Sequence, residues 1–147
     1  MAKSYYSTVF VQSADTVWSV VRDFNAYPVW VDGAGISEIE GGKPGETVGA
    51  VRRVLYNGRI IRQRLLGQSD VERSQTYAFA EEASLPVDNY RATIRVTPVV
   101  DGDRASVEWW ATFDCDTSER EQRSAFFSAA FAGWLESLRR RLVKAGV

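Results

Sequence analysis

Two hydrophobic periods divide this 147-residue chain, and their order is its strongest constraint. Between Ile36 and Asp116 apolar and polar residues alternate in short runs, the pattern of half-buried strands. From Ser118 onward Phe127, Phe131, Trp134, Leu138 and Leu142 recur every three or four residues, which makes one buried stripe on a helix. Asn57-Gly58 and Asp101-Gly102 suit the positive-φ positions of tight hairpins. They punctuate the segments TVGAVRRVLY, RIIRQRLLGQ, SQTYAFAEE, NYRATIRVTPVV and RASVEWWATFDC. GISEIE and an opening strand in YYSTVFVQS, with Val9 and Val11 read as its apolar face, bring the count to seven.

The remaining signals are caps and breaks. Ser13 offers an N-cap to a helix on which Val17, Val20, Val21 and Phe24 share a face. Pro28 interrupts that helix before a second short one, and Trp30 anchors the bend that follows. Ser118 and Glu121 form a plausible capping box for a terminal helix reaching Lys144, about 40 Å long at about 1.5 Å per residue. No linker or repeat breaks the chain, so residues 1–147 are read as one domain. At this length roughly 70% of the unfolded surface can be buried.

Several function classes are excluded early. With 18 Lys and Arg against 19 Asp and Glu the net charge is -1, so no uniform basic field marks a nucleic-acid partner. No run approaches the roughly 20 apolar residues that span a bilayer, and the N-terminal stretch lacks a signal-peptide core, so a cytoplasmic protein without membrane insertion is expected. Histidine is absent and Cys115 is the lone cysteine, which removes Ser-His and Cys-His pairs and the usual zinc sites. The expectation is therefore no metal and no cofactor.

The order of strand, two short helices, six-strand meander and long C-terminal helix resembles the START-like or SRPBCC superfamily. More narrowly, VWSVVRDFNAYPVW, RQRLL, LPVDNYRATIRVTP and VEWWATFD resemble the bacterial polyketide cyclase/dehydrase-like group. The resemblance implies an α+β helix-grip fold, a curved seven-stranded antiparallel sheet wrapped around the long helix. It also implies a space between sheet and helix where a small hydrophobic molecule binds. A carrier or sensor for a polyketide, aromatic metabolite or lipid is the leading expectation, as a monomer or weak homodimer. A cyclase or dehydratase working by acid/base chemistry in the same space is the alternative.

Parity nominates the lining. Arg62 and Arg64 face water, which turns Ile61, Gln63 and Leu65 inward, and Tyr77 and Phe79 share a face, as do Tyr90, Ala92 and Ile94. Ala92 is small among large neighbours and leaves room. Phe127, Phe131 and Trp134 come from the helix, and for these three, as for Tyr77 and Phe79, plain core packing is the alternative reading and the favoured one. Leu85, Pro86 and Val87 are apolar in a loop and read either as a lid edge beside Tyr90 or as a satellite cluster on the helix. In the third strand either Val51, Arg53 and Leu55 or Arg52, Val54 and Tyr56 point inward, and pattern does not decide. The resemblance to abscisic acid receptors favours the second set, with Gln63 standing where those receptors carry an acid. The family match likewise sends Glu108 into the pocket as a partner for Arg52. Alternation contradicts it, placing Val107, Trp109, Ala111 and Phe113 on the apolar face, unless a bulge intervenes near Trp109 and Trp110. Glu108 and Tyr90 are the leading candidates for a catalytic base, followed by Tyr77 and Asp32, with Arg52 as an oxyanion partner.

Overall fold

The computed structural model describes residues 1–42, 44–81 and 86–144. Strand β1 (Ala2–Phe10) leads to helices α1 (Ala14–Val21) and α2 (Tyr27–Trp30). The strands β2 (Ala34–Ile39), β3 (Val51–Tyr56), β4 (Arg59–Ser69), β5 (Ser74–Phe79), β6 (Asp88–Val99) and β7 (Arg104–Asp114) then precede helix α3 (Arg120–Lys144). Every neighbouring pair is antiparallel in the order β1-β7-β6-β5-β4-β3-β2. This is the helix-grip fold, and α3 lies across the sheet with Phe127, Phe131, Leu135, Leu138 and Leu142 buried.

Local chemistry explains most boundaries. Ser13 Oγ accepts from the Thr16 amide at 3.2 Å and starts α1. Pro28 sits in the first turn of α2, where its missing N–H costs nothing, so it begins the second helix as well as separating it from the first. The β3–β4 hairpin turns at Asn57 and Gly58, with φ of 48° and 82°. In the β6–β7 turn the positive-φ pair is Gly102 and Asp103, at 83° and 50°, one place later than Asp101-Gly102. The cap of the last helical segment also moves, because the Asp116 carboxylate accepts from the Ser118 amide and a 3-10 turn over Thr117–Glu119 leads into α3.

The first strand reverses expectation. Val9 and Val11 are 47% and 76% exposed, while Ala2, Ser4 and Phe10 are buried. The reason is the close approach of α3 to this edge: Ser4 Oγ donates to the Ser124 carbonyl, the Tyr5 amide donates to Ser128 Oγ, and Arg139 donates to the Val9 carbonyl and Thr8 Oγ1. Small polar residues let helix and edge strand meet, so this inward face carries little apolar signal.

Helix α1 is tied to the β4–β5 turn through Asp70, which accepts from Trp18 Nε1 at 2.8 Å and from Arg22 Nε at 3.0 Å. The Arg22 hydrogen bonds, then that of Trp18, hold the Asp70 carboxyl below the usual carboxylate range. A depressed pKa contributes stability that is present above the unfolded value of about 3.9 and is lost as pH falls through the folded value. Asp70→Asn should therefore flatten the fall in stability below about pH 4, measured as urea midpoints across a pH series. An unchanged acid limb would show that this contact contributes nothing.

Candidate functional site

The space between helix and sheet is filled unevenly. At one end Phe131 stacks on Trp109, with ring centroids 4.9 Å apart and planes 11° from parallel, and both residues are buried. This stack closes the interior on that side. Beyond it the strands β3 to β6 diverge from α3 and leave a cavity of about 300 Å³. Tyr27, Gln63, Tyr77 and Tyr90 form its inner wall, and Ile61, Phe79, Phe127, Ala130 and Trp134 line its flanks. Tyr56, Asn57, Arg59 and the 53% exposed Phe126 complete it near the β3–β4 hairpin, where it meets solvent.

Ring contacts hold this shape. Tyr90 lies 4.8 Å from Phe79 and 4.9 Å from Phe127, which joins β5, β6 and α3. Trp134 donates Nε1 to the Tyr56 phenol at 3.0 Å while the two rings meet edge to face. That bond links the helix to the hairpin strand beside the opening.

Register resolves the third strand. Arg52 pairs with Gln63 and Val54 with Ile61, so Arg52, Val54 and Tyr56 point inward and Arg53 is exposed. Arg52 is 2% exposed. Its Nε donates to Gln63 Oε1 at 2.8 Å and its Nη1 to the Phe24 carbonyl at 2.9 Å. The guanidinium carbon sits 4.1 Å from the Phe24 ring centroid, 4.0 Å from Tyr27 and 5.2 Å from Tyr77. Cation–π attraction thus takes the place of an ion pair, for which no carboxylate is in reach among the described residues. Burial lowers the Arg52 pKa from its ordinary value, and the guanidinium remains charged.

Glu108 is on the other side of the sheet. Both ladders of β7 run without a shift through Glu108, Trp109 and Trp110, so there is no bulge to turn it. Its carboxylate instead accepts from the exposed Tyr5 phenol at 2.6 Å, and it stands across from Ser7 and Arg95. The pairing of Glu108 with Arg52 is overturned, and alternation, not the family match, was the correct guide. Asp32 is likewise exposed and pairs with Arg140. Tyr90 does border the cavity, but burial pushes its phenol well above the ordinary range, as it does for Tyr27, and more moderately for Tyr77. These phenols are donors, unsuited to taking a proton at neutral pH.

Other nominated residues belong to the core. Val54, Ala92 and Phe131 are buried at 1%, 0% and 0% exposure and do not border the cavity. Ala92 is small because Tyr77 and Ala111 flank it in the ladders, so no room for a ligand exists there. Ala92→Leu should cost about 1–3 kcal/mol by overpacking, read from denaturant unfolding, and leave occupancy of the cavity unaltered. Leu85 lies outside the described residues; Val87 is buried. Tyr27, Asn57, Arg59, Phe126 and Ala130 were not anticipated. Spacing could have indicated Phe126 and Ala130, since both stand at four-residue steps from Trp134 on the helix.

Among the described residues no three His, Cys, Asp or Glu side chains converge to hold a metal ion, and no helix is long and apolar enough to cross a membrane.

A family model described as polyketide cyclase/dehydrase and lipid transport matches residues 1–145. The protein XoxI from Bacillus cereus is 28% identical, with a TM-score of 0.84 over 100% of this chain and 99% of that one. A START superfamily protein from Mycobacterium smegmatis has the same fold at 13% identity and a TM-score of 0.78, covering 99% of each chain. The di-domain ARO/CYC protein BexL, from the BE-7585A biosynthetic pathway, reaches a TM-score of 0.81 at 14% identity over 97% of this chain and 46% of its own. No curated protein matches the chain.

Proposed function

The chain belongs to the polyketide cyclase/dehydrase and lipid transport family, and from that premise we propose that it is a carrier or sensor that binds one small hydrophobic molecule between sheet and helix. The observation that carries this reading is the cavity of about 300 Å³, walled by aromatic side chains where the Trp109–Phe131 stack stops filling the interior. Its volume is at the lower end of the range for small-molecule sites, so a ligand of two or three fused rings, or a short acyl chain, suits it better than a full-length lipid. Phe79, Phe127 and Trp134 supply the apolar walls, and the Tyr and Gln side chains orient whatever polar groups the ligand carries.

The lining favours binding over turnover. It contains no carboxylate or imidazole among the described residues, and its inner phenols are held protonated. Proton abstraction next to a carbonyl has no evident base here.

Native mass spectrometry of the purified protein, followed by calorimetric titration with naphthalene-sized probes, tests the proposal. A co-purified small molecule or one-to-one saturable binding is expected. No bound mass and no saturable binding by any probe would refute it.

A further inference from the structure

The charge inventory around the cavity supports a narrower statement, which rests on the reading just given. No Asp or Glu lines the cavity among the described residues, and its only formally charged lining group is Arg59 near the opening. Behind the inner wall is a second cation, Arg52, in contact with the lining residues Tyr27, Gln63 and Tyr77. Two of its nitrogens have protein acceptors, whereas Nη2 is buried with none. A buried guanidinium without a counter-ion is expensive, and ring faces offset only part of that cost. The interior therefore carries an unneutralised positive field.

Gln63 transmits it. Its Oε1 is held by Arg52 Nε, which orients the amide. Its Nε2 hydrogens then have no protein acceptor among the described residues, and the side chain borders the cavity. The phenols of Tyr27 and Tyr77 lie at the same inner end and can also donate, while the Tyr90 phenol is bonded to that of Tyr77. An arrangement of donors backed by a cation, with no acidic group, suits an oxyanion and penalises a cationic ligand.

We propose that the cavity selects an organic anion: a flat apolar body against Phe79, Phe127 and Trp134, with one carboxylate or phenolate oxygen accepting from Gln63 Nε2 in the field of Arg52. Arg59 near the opening adds to the selection by favouring entry of anions over cations.

Calorimetric titration at pH 7.5 with 2-naphthoate, 2-naphthamide and 2-naphthylmethylammonium separates charge from shape. The acid should bind about tenfold tighter than the amide, and the ammonium weakest of the three. Gln63→Glu gives Arg52 its counter-ion, so this variant should keep or raise the unfolding temperature while losing the preference for the acid. Arg52→Met should lose the same preference without a new charge. A nitrophenol probe adds an optical readout, because a wild-type cavity that favours the phenolate will hold the coloured form below its free ionisation pH. Equal affinity for acid and amide, or a preference that survives both substitutions, overturns anion selection and leaves the hydrophobic site standing. Absence of saturable binding by all three naphthalenes overturns selection of a flat organic anion, and the hydrophobic site falls with it only if no small molecule co-purifies and no other probe binds.

Discussion

Arg52→Ala should lower the unfolding free energy by about 3–5 kcal/mol, measured by urea denaturation at neutral pH. Three rings, those of Phe24, Tyr27 and Tyr77, pack against the guanidinium, and all would face a void after truncation. The Phe24 carbonyl and Gln63 Oε1 would lose their donor, and an unsatisfied buried group costs about 1–3 kcal/mol. Relief of the buried charge offsets part of the loss. Arg52→Met should therefore be the milder change, since it retains most of the volume while also removing the charge, and apolar replacements of buried ionic groups are often neutral or better. The ordering is the decisive result. If Ala and Met were equally stable, ring packing around Arg52 would not contribute to the fold, and the inner wall described above would be wrong.

The second large effect concerns occupancy. Ala130→Trp should weaken binding of any cavity probe by about a hundredfold or more, equal to about 2.7 kcal/mol, while leaving the unfolding temperature within a few degrees of wild type. Ala130 lies one helical turn from Phe126 and one from Trp134, and all three border the same space of about 300 Å³. An indole added at that point enters open volume, so it displaces ligand and not core side chains. Ala92→Leu is the contrasting case, because Ala92 is enclosed in the sheet face and has no open volume beside it. Retained binding in a folded Ala130→Trp protein would place the ligand elsewhere.

The two substitutions differ in what sequence could say about them. Arg52 is one of two adjacent arginines, Arg52 and Arg53, and alternation offers both faces of β3 with equal merit. Register with β4 turns Arg52 inward opposite Gln63, a pairing that no local pattern contains. Ala130 is one of several alanines in a helix whose apolar stripe runs through Phe127 and Phe131. Its place beside a cavity depends on where the sheet curves away from α3.

Sequence by itself determined the elements and their order. Alternation against a charged face oriented Ile61, Gln63 and Leu65 correctly, because Arg62 and Arg64 could not share their side. The same alternation placed Val107, Trp109, Ala111 and Phe113 in the interior and Glu108 on the outer face, against what the family resemblance implied for Glu108. Asn57-Gly58 marked its turn because few residues other than glycine and asparagine tolerate positive φ. Tertiary structure alone decided the polar inward face of β1, the cation behind the cavity wall and the membership of Val54 and Ala92 in the core. Each depends on what lies across from a side chain in space. Period reports that a residue has an inside and an outside, whereas convergence from β3, β4, β5, β6 and α3 is settled only when the strands pair and the helix packs.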